Sequence, residues 1–251
     1  MERTGKIGPP FTKTLGFTRA AVPADYRYVK NEAAYLPIAE SALADRFNAG
    51  NDFHSFYAAI GTPERKNLFL RTTSFYYYLI KKGDWVVSAP DCDPVIDYFT
   101  NSYKTVGLFA LIESLSDDSH EDFHAWLTSD ARAPIFPVAS PKQLSDLHSE
   151  YKATFGSIRR CVTFFGRLPQ DRQKELCGAV RMDRKPMASI KTLAEYLYDI
   201  RSKFVHQADL VLQMSGSTYH LGHKKLIHTQ LTMPLLCAAF EEGLVAYFSE
   251  T

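Results

Sequence analysis

Arg201 and His206 lie close together, with four residues between them, in the stretch LYDIRSKFVHQ, residues 197–207. An arginine is always charged and offers a bidentate fork to phosphate oxygens, which lysine cannot mimic. A histidine titrates near pH 6.5, so it serves as base or acid at neutral pH. Metal-free RNA cleavage needs groups of this kind. A base takes the 2′-hydroxyl proton, an acid protonates the leaving 5′-oxygen, and a fixed cation holds the charge that builds on phosphorus. One Arg and one His per chain are too few for all three tasks. A two-fold dimer supplies two of each to one cleft, because an isologous interface repeats its residues across the axis.

The element that carries them reads as an amphipathic helix from Ser189 to about His206. Ile190, Leu193, Leu197, Ile200 and Phe204 fall in one apolar arc at about 100° per residue. Arg201 lies within that arc, where a guanidinium is costly unless it meets an anion or lines a cleft. His206 lies roughly 140° further round. The plainer alternative is a capping role, since cations in a last turn complement the helix dipole.

Arg201-x4-His206 resembles the R-x4-6-H motif of the HEPN superfamily, and the wider string YDIRSKFVH, 198–206, resembles its Apea-like branch. Two earlier helices fit the same resemblance: an aromatic-rich one around FYYY, 75–78, and one ending in ALIESL, 110–115. The likeness spans about residues 55–250. It implies an all-α helical bundle over residues 53–251, with residues 1–52 as a small irregular N-terminal extension. It further implies a metal-independent, cofactor-free endoribonuclease that works as a homodimer and leaves a 2′,3′-cyclic phosphate. Toxin–antitoxin or anti-phage defence is the implied setting, with an antitoxin or other protein as a further partner. Carried onto this chain, Arg201 stabilises the scissile phosphate and His206 is the general acid or base. Many active members have Asn, Asp or His after the Arg. Here Ser202 can donate to phosphate but cannot exchange a proton near neutral pH. The alternative is a non-catalytic HEPN module that binds nucleotide, RNA or a partner protein.

Charge distribution suits a phosphate partner better than net charge does. The net charge is +1, yet residues 150–230 carry 14 Lys or Arg against 7 Asp or Glu, and the remainder carries 15 against 21. Within the basic segment, Arg159, Arg160 and Lys203 are the expected nucleic-acid contacts. The four cysteines, Cys92, Cys161, Cys177 and Cys237, form no C-x-x-C pair and read as thiols of a reducing compartment. No apolar run approaches the ~18 residues of a membrane span, and the N-terminus lacks a signal-like apolar core, so a cytoplasmic protein with no membrane partner is expected.

The other elements follow from punctuation. Residues 1–30, rich in Gly and Pro, read as an irregular lead or two short strands, not a helix. Residues 31–48 read as helical, interrupted or restarted at Pro37 and stopped at Gly50-Asn51. Thr62-Pro63-Glu64 starts a helix that ends at Lys81-Lys82-Gly83. Pro94 opens the next, with Ile96, Phe99, Tyr103, Val106 and Ala110 as its apolar row. Glu113 continues that row and needs a cation, for which Arg201 is the candidate. A short helix is expected over 120–128. One long helix is expected from Pro141 to about Leu168, a basic connection over 169–187, a loop at MSGSTYHLGH, and a last helix over about Thr229–Ser249. No clear strand alternation is evident.

Two rival patterns concern metal. His120-Glu121-Asp122-Phe123-His124 matches H-E-x-x-H, but acids crowd it and no third ligand stands out, although Glu150 is available. His220, His223 and His228 form a second cluster beside Lys224 and Lys225, a metal or phosphate-binding pattern that reads better as a solvated polar loop, since no Cys or carboxylate completes a metal set. Neither outweighs the metal-free reading. There is no P-loop, G-x-G-x-x-G or G-x-S-x-G.

Overall fold

A computed structural model describes residues 26–83 except 49, then 93–115, 122–129, 132, 135–208, 214, 216–222 and 225–250. The fold is mostly helical, with a small antiparallel sheet. The expected lead over residues 1–25 falls outside the described residues.

The N-terminal helices belong to the core. α1 (Arg27–Lys30) and α2 (Glu32–Ala42) pack on α4 (Pro63–Tyr76), and Ala39, Ala42 and Leu43 are fully buried. Residues 27–30 are thus helical, against the irregular lead expected there. α2 runs through Pro37 without a break, and a 3-10 turn, Ala44–Arg46, follows it. The stop expected at Gly50 is instead the start of α3 (Gly50–Ala59), which buries Phe53 and Tyr57 and ties Tyr57 Oη to Glu32 at 2.8 Å. A sequence beginning Gly-Asn-Asp hides this helix, because those residues favour caps and turns.

α4 starts as expected, with Thr62 accepting from the Arg65 amide and Pro63 in the first turn. It continues into a π-helical turn, Tyr77–Lys81. The aromatic run divides: Tyr76 is fully buried, whereas Phe75 and Tyr78 are exposed.

α5 (Asp93–Ser114) forms where expected but turns a different face inward. Phe99, Tyr103 and Ala110 are exposed, and the buried row is Ser102, Thr105, Phe109 and Ile112. Of the polar members of that row, Thr105 closes on the helix itself, its Oγ1 donating to the Asn101 carbonyl at 2.7 Å.

α6 (Phe123–Leu127) is capped by Asp122. The single helix expected over 141–168 is two, α7 (Pro141–Phe155) and α8 (Ser157–Gly166). They break at Gly156, where a Cβ would come within 2.3 Å of the Lys152 carbonyl oxygen, so only glycine permits this turn. The expected connection over 169–187 contains α9 (Gln170–Ala179), β1 (Val180–Met182) and β2 (Lys185–Pro186). α10 (Ile190–Gln207) is capped by Ser189 and ends at Ala208 in a left-handed conformation. The loop expected after it holds β3 (Thr218–Gly222) and β4 (Lys225–Thr229). α11 (Met233–Ser249) closes the chain, starting four residues later than expected because Thr229 belongs to β4 and Thr232 is the cap.

Strand order is β2-β1-β4-β3, all pairs antiparallel. The β1–β2 turn places Asp183 and Arg184 at φ 49° and 70°, the left-handed pair of a tight two-residue hairpin. Usual hairpin turns carry Asn-Gly or Asp-Gly, so Asp-Arg gave no such signal.

Candidate functional site

The motif helix sits where α5, α8 and α10 pack together. Leu193, Leu197 and Ile200 of the predicted arc are buried, and Ile190 and Phe204 are half-buried at its ends. This arc draws Arg201 against α5. There Nη2 of Arg201 stands 3.4 Å from Oε1 of Glu113, the two side chains 17% and 23% exposed. The expected Glu113–Arg201 meeting is therefore present, although Glu113 lies beside the buried row of α5, not on it.

The surroundings of this pair are polar and close. Arg160 of α8 donates from Nη1 to the Glu113 carbonyl at 3.2 Å. The Arg201 guanidinium lies over the Tyr198 ring, 5.4 Å from its centroid. Buried Cys161 lies in the same field. Burial pushes its thiol up to about 12, the Glu113 carboxylate pushes the same way, and Arg201 and Arg160 pull it back. Burial likewise raises Tyr198. Neither Nε of Arg201 nor Oε1 of Glu113 makes a hydrogen bond. The guanidinium is thus anchored by charge, with its Nε buried and unpaired.

His206 is in the last turn of α10 and exposed. Five residues on a regular helix separate it from Arg201 by about 7.5 Å along the axis and roughly 140° around it. A single chain therefore presents the two groups side by side only through a partner surface or a substrate that spans them. Ser202 is half-buried next to Arg201. Of the expected nucleic-acid contacts, Arg159 is exposed, Arg160 is turned onto Glu113, and Lys203 pairs with Asp199 at 2.7 Å. An apolar strip flanks the helix end: Phe99, Tyr103 and Val205 are exposed, and Tyr103 packs edge-on against Phe204 at 5.2 Å.

A second polar centre had no counterpart in the sequence reading. Glu241 of α11 is 3% exposed and accepts from Tyr76 Oη at 2.6 Å and Lys81 Nζ at 2.9 Å, with Arg46 Nε at 3.2 Å. It borders a cavity of about 370 Å³ also lined by Asn101, Lys104, Met233 and Cys237. The π-helical turn brings Lys81 to it. Burial and the neighbouring Cys237 and Glu241 raise the Tyr76 hydroxyl far above the ordinary range. The sequence signal was available: Glu241 follows Ala239 and Phe240 and precedes Leu244 on a buried face. Neither Arg201 nor His206 lines this cavity.

The metal patterns gain nothing. His120 and Glu121 fall outside the described residues, as does His223. His228 instead accepts or donates a hydrogen bond with Ser217 at 2.7 Å. Among the described residues no group of three His, Cys, Asp or Glu side chains is placed to hold a metal. Among them, too, no helix is long and apolar enough to cross a membrane. No family model, curated protein or solved structure matches the chain.

Proposed function

We propose that the chain is a metal-independent endoribonuclease of HEPN type, active as a cytoplasmic homodimer in a toxin or anti-phage role. The observation that carries this reading is the Arg201 guanidinium, carried on the apolar arc of α10 and fixed by Glu113, its side chain 17% exposed. A cation held in advance costs no reorganisation when charge develops on phosphorus.

In this reading two chains pair across a two-fold axis. One histidine takes the 2′-hydroxyl proton as O2′ bonds to phosphorus. The P–O5′ bond breaks, and the symmetry-related histidine protonates the departing O5′. The products are a 2′,3′-cyclic phosphate and a 5′-hydroxyl. The exposure of His206 and the apolar strip of Phe99, Tyr103 and Val205 beside it support such a pairing.

The same ion pair favours a second reading, a non-catalytic module, because Glu113 already neutralises the guanidinium that a phosphate would seek. One assay separates them. Pure protein is incubated with mixed RNAs in EDTA, beside Arg201→Ala and His206→Ala. Cleavage by the wild type alone supports the enzyme. A wild type as inert as both variants leaves the binding module.

A further inference from the structure

The outer face of the sheet has the composition of a surface for unpaired nucleotides. On β4, Ile227 and Thr229 are buried, so Leu226 and His228 point outward. The register sets Arg181 of β1 opposite His228 on one side and Tyr219 of β3 opposite it on the other. Arg181, His228 and Tyr219 therefore form one cross-strand row. The rings of Tyr219 and His228 are stacked, 4.3 Å apart and 14° from parallel. Ser217 Oγ, 2.7 Å from His228 Nε2, holds the imidazole in place. Tyr219 is 67% exposed, and β3 is an edge strand, so the stack is open on its outer side.

Charge completes the surface. The turn between β1 and β2 and the end of the β3–β4 hairpin are tied together, Asp183 N donating to Leu226 O at 2.8 Å and Leu226 N to Asp183 Oδ1 at 3.1 Å. Arg181 stands on this face beside His228, and Arg184, exposed in the β1–β2 turn, lies at its end, whereas Lys185 and Lys225 share the side of Ile227 by strand alternation. Among the described residues neither Arg181 nor Arg184 lies within ion-pair distance of a carboxylate. The nearby acid, Asp183, is engaged by the Leu226 amide.

We propose that this face binds single-stranded RNA. An unpaired base continues the Tyr219–His228 stack beyond the edge strand, and the adjoining phosphates meet Arg181 and Arg184. Every base has a π-face, so such a platform tolerates sequence, and a duplex, whose bases are already stacked and paired, cannot use it. The inference deepens the ribonuclease reading by naming where the strand is gripped, yet it is independent of whether Arg201 and His206 cut.

The test is fluorescence anisotropy with a labelled single strand of about 12 nucleotides, in EDTA, on the His206→Ala background so that the strand stays whole. Tyr219→Ala is expected to weaken binding about tenfold or more, and Tyr219→Phe, which keeps the ring, to bind as the parent does. Replacing Arg181 and Arg184 together by alanine is expected to flatten the slope of log affinity against log salt by about 1.4. Unchanged affinity in Tyr219→Ala, or an unchanged slope, overturns the proposal. So does a parent that binds no single strand, which would give exposed Leu221 and Leu226 to a protein partner instead. The two sites fail separately. A protein that never cleaves but binds through Tyr219 loses only the enzymatic reading, and one that cleaves equally well without Tyr219 loses only this one.

Discussion

Glu113 on α5 and Arg201 on α10 face each other across the helical core at 3.4 Å, each mostly shielded from water. Removing the carboxylate leaves a partly buried guanidinium short of a counter-charge. Glu113→Gln is therefore expected to destabilise the fold by about 1–2 kcal/mol, less than a fully buried pair because both groups retain solvent. Urea unfolding checks this. In the same variant the freed guanidinium is expected to bind RNA more tightly, which a purely structural pair would not do.

Glu241 anchors a larger network. Glu241→Ala takes the acceptor from Tyr76 Oη and one of two carboxylates from Lys81, which keeps Asp45, so a loss of about 3 kcal/mol is expected. Tyr76→Phe deletes one bond to the same carboxylate and is expected to cost about 1–3 kcal/mol. Chemical denaturation of the two variants should rank them in that order.

Acid sensitivity should trace partly to Glu242. Its carboxylate accepts from Arg172 Nε at 2.9 Å and Nη2 at 2.6 Å, with Arg46 Nη1 at 2.8 Å. The bond from Arg172 is the main cause that holds it below the ordinary carboxylate range. A depressed folded-state value stabilises above the unfolded value near 4.5 and ceases to do so as pH falls through the folded value. The melting-temperature gap between wild type and Glu242→Gln is thus expected to be constant near neutral pH and to shrink below about pH 4.5. Thermal melts from pH 7 to 3 measure it.

Gly243 lets α11 approach α8. A Cβ there would stand 2.6 Å from the Phe164 ring, and Phe164 is itself buried. Gly243→Ala is expected to lower stability by about 1–3 kcal/mol despite the better helix propensity of alanine. A variant of unchanged stability would mean that the ring yields freely.

Three capped helices were legible: Thr62, Ser140 and Ser189 each announce a start and each accepts a backbone amide there, whereas the Thr232 cap was passed over for Thr229, which lies in β4. The arc around Arg201 was legible because its spacing is regular. What escaped was set by tertiary context. Phe99 and Tyr103 of the expected row of α5 are exposed, whereas Ser102 and Thr105 are turned inward, the Thr105 hydroxyl meeting the Asn101 carbonyl of its own helix. The sheet escaped because its strands are short, β2 contains Pro186, and the tight β1–β2 turn lacks glycine. Glu241 escaped because an acid is normally expected outside, and only three separated elements supply its partners.

The central claim is that Arg201 and His206 cut RNA without a metal. The most direct measurement is the chemistry of RNA ends after incubation in EDTA. A 2′,3′-cyclic phosphate and a 5′-hydroxyl are expected from the wild type, with rates lower by about 10²–10⁴ for His206→Ala and by about a hundredfold or more for Arg201→Ala. Intact RNA with wild-type protein, or the same ends at the same rate from either variant, would contradict it.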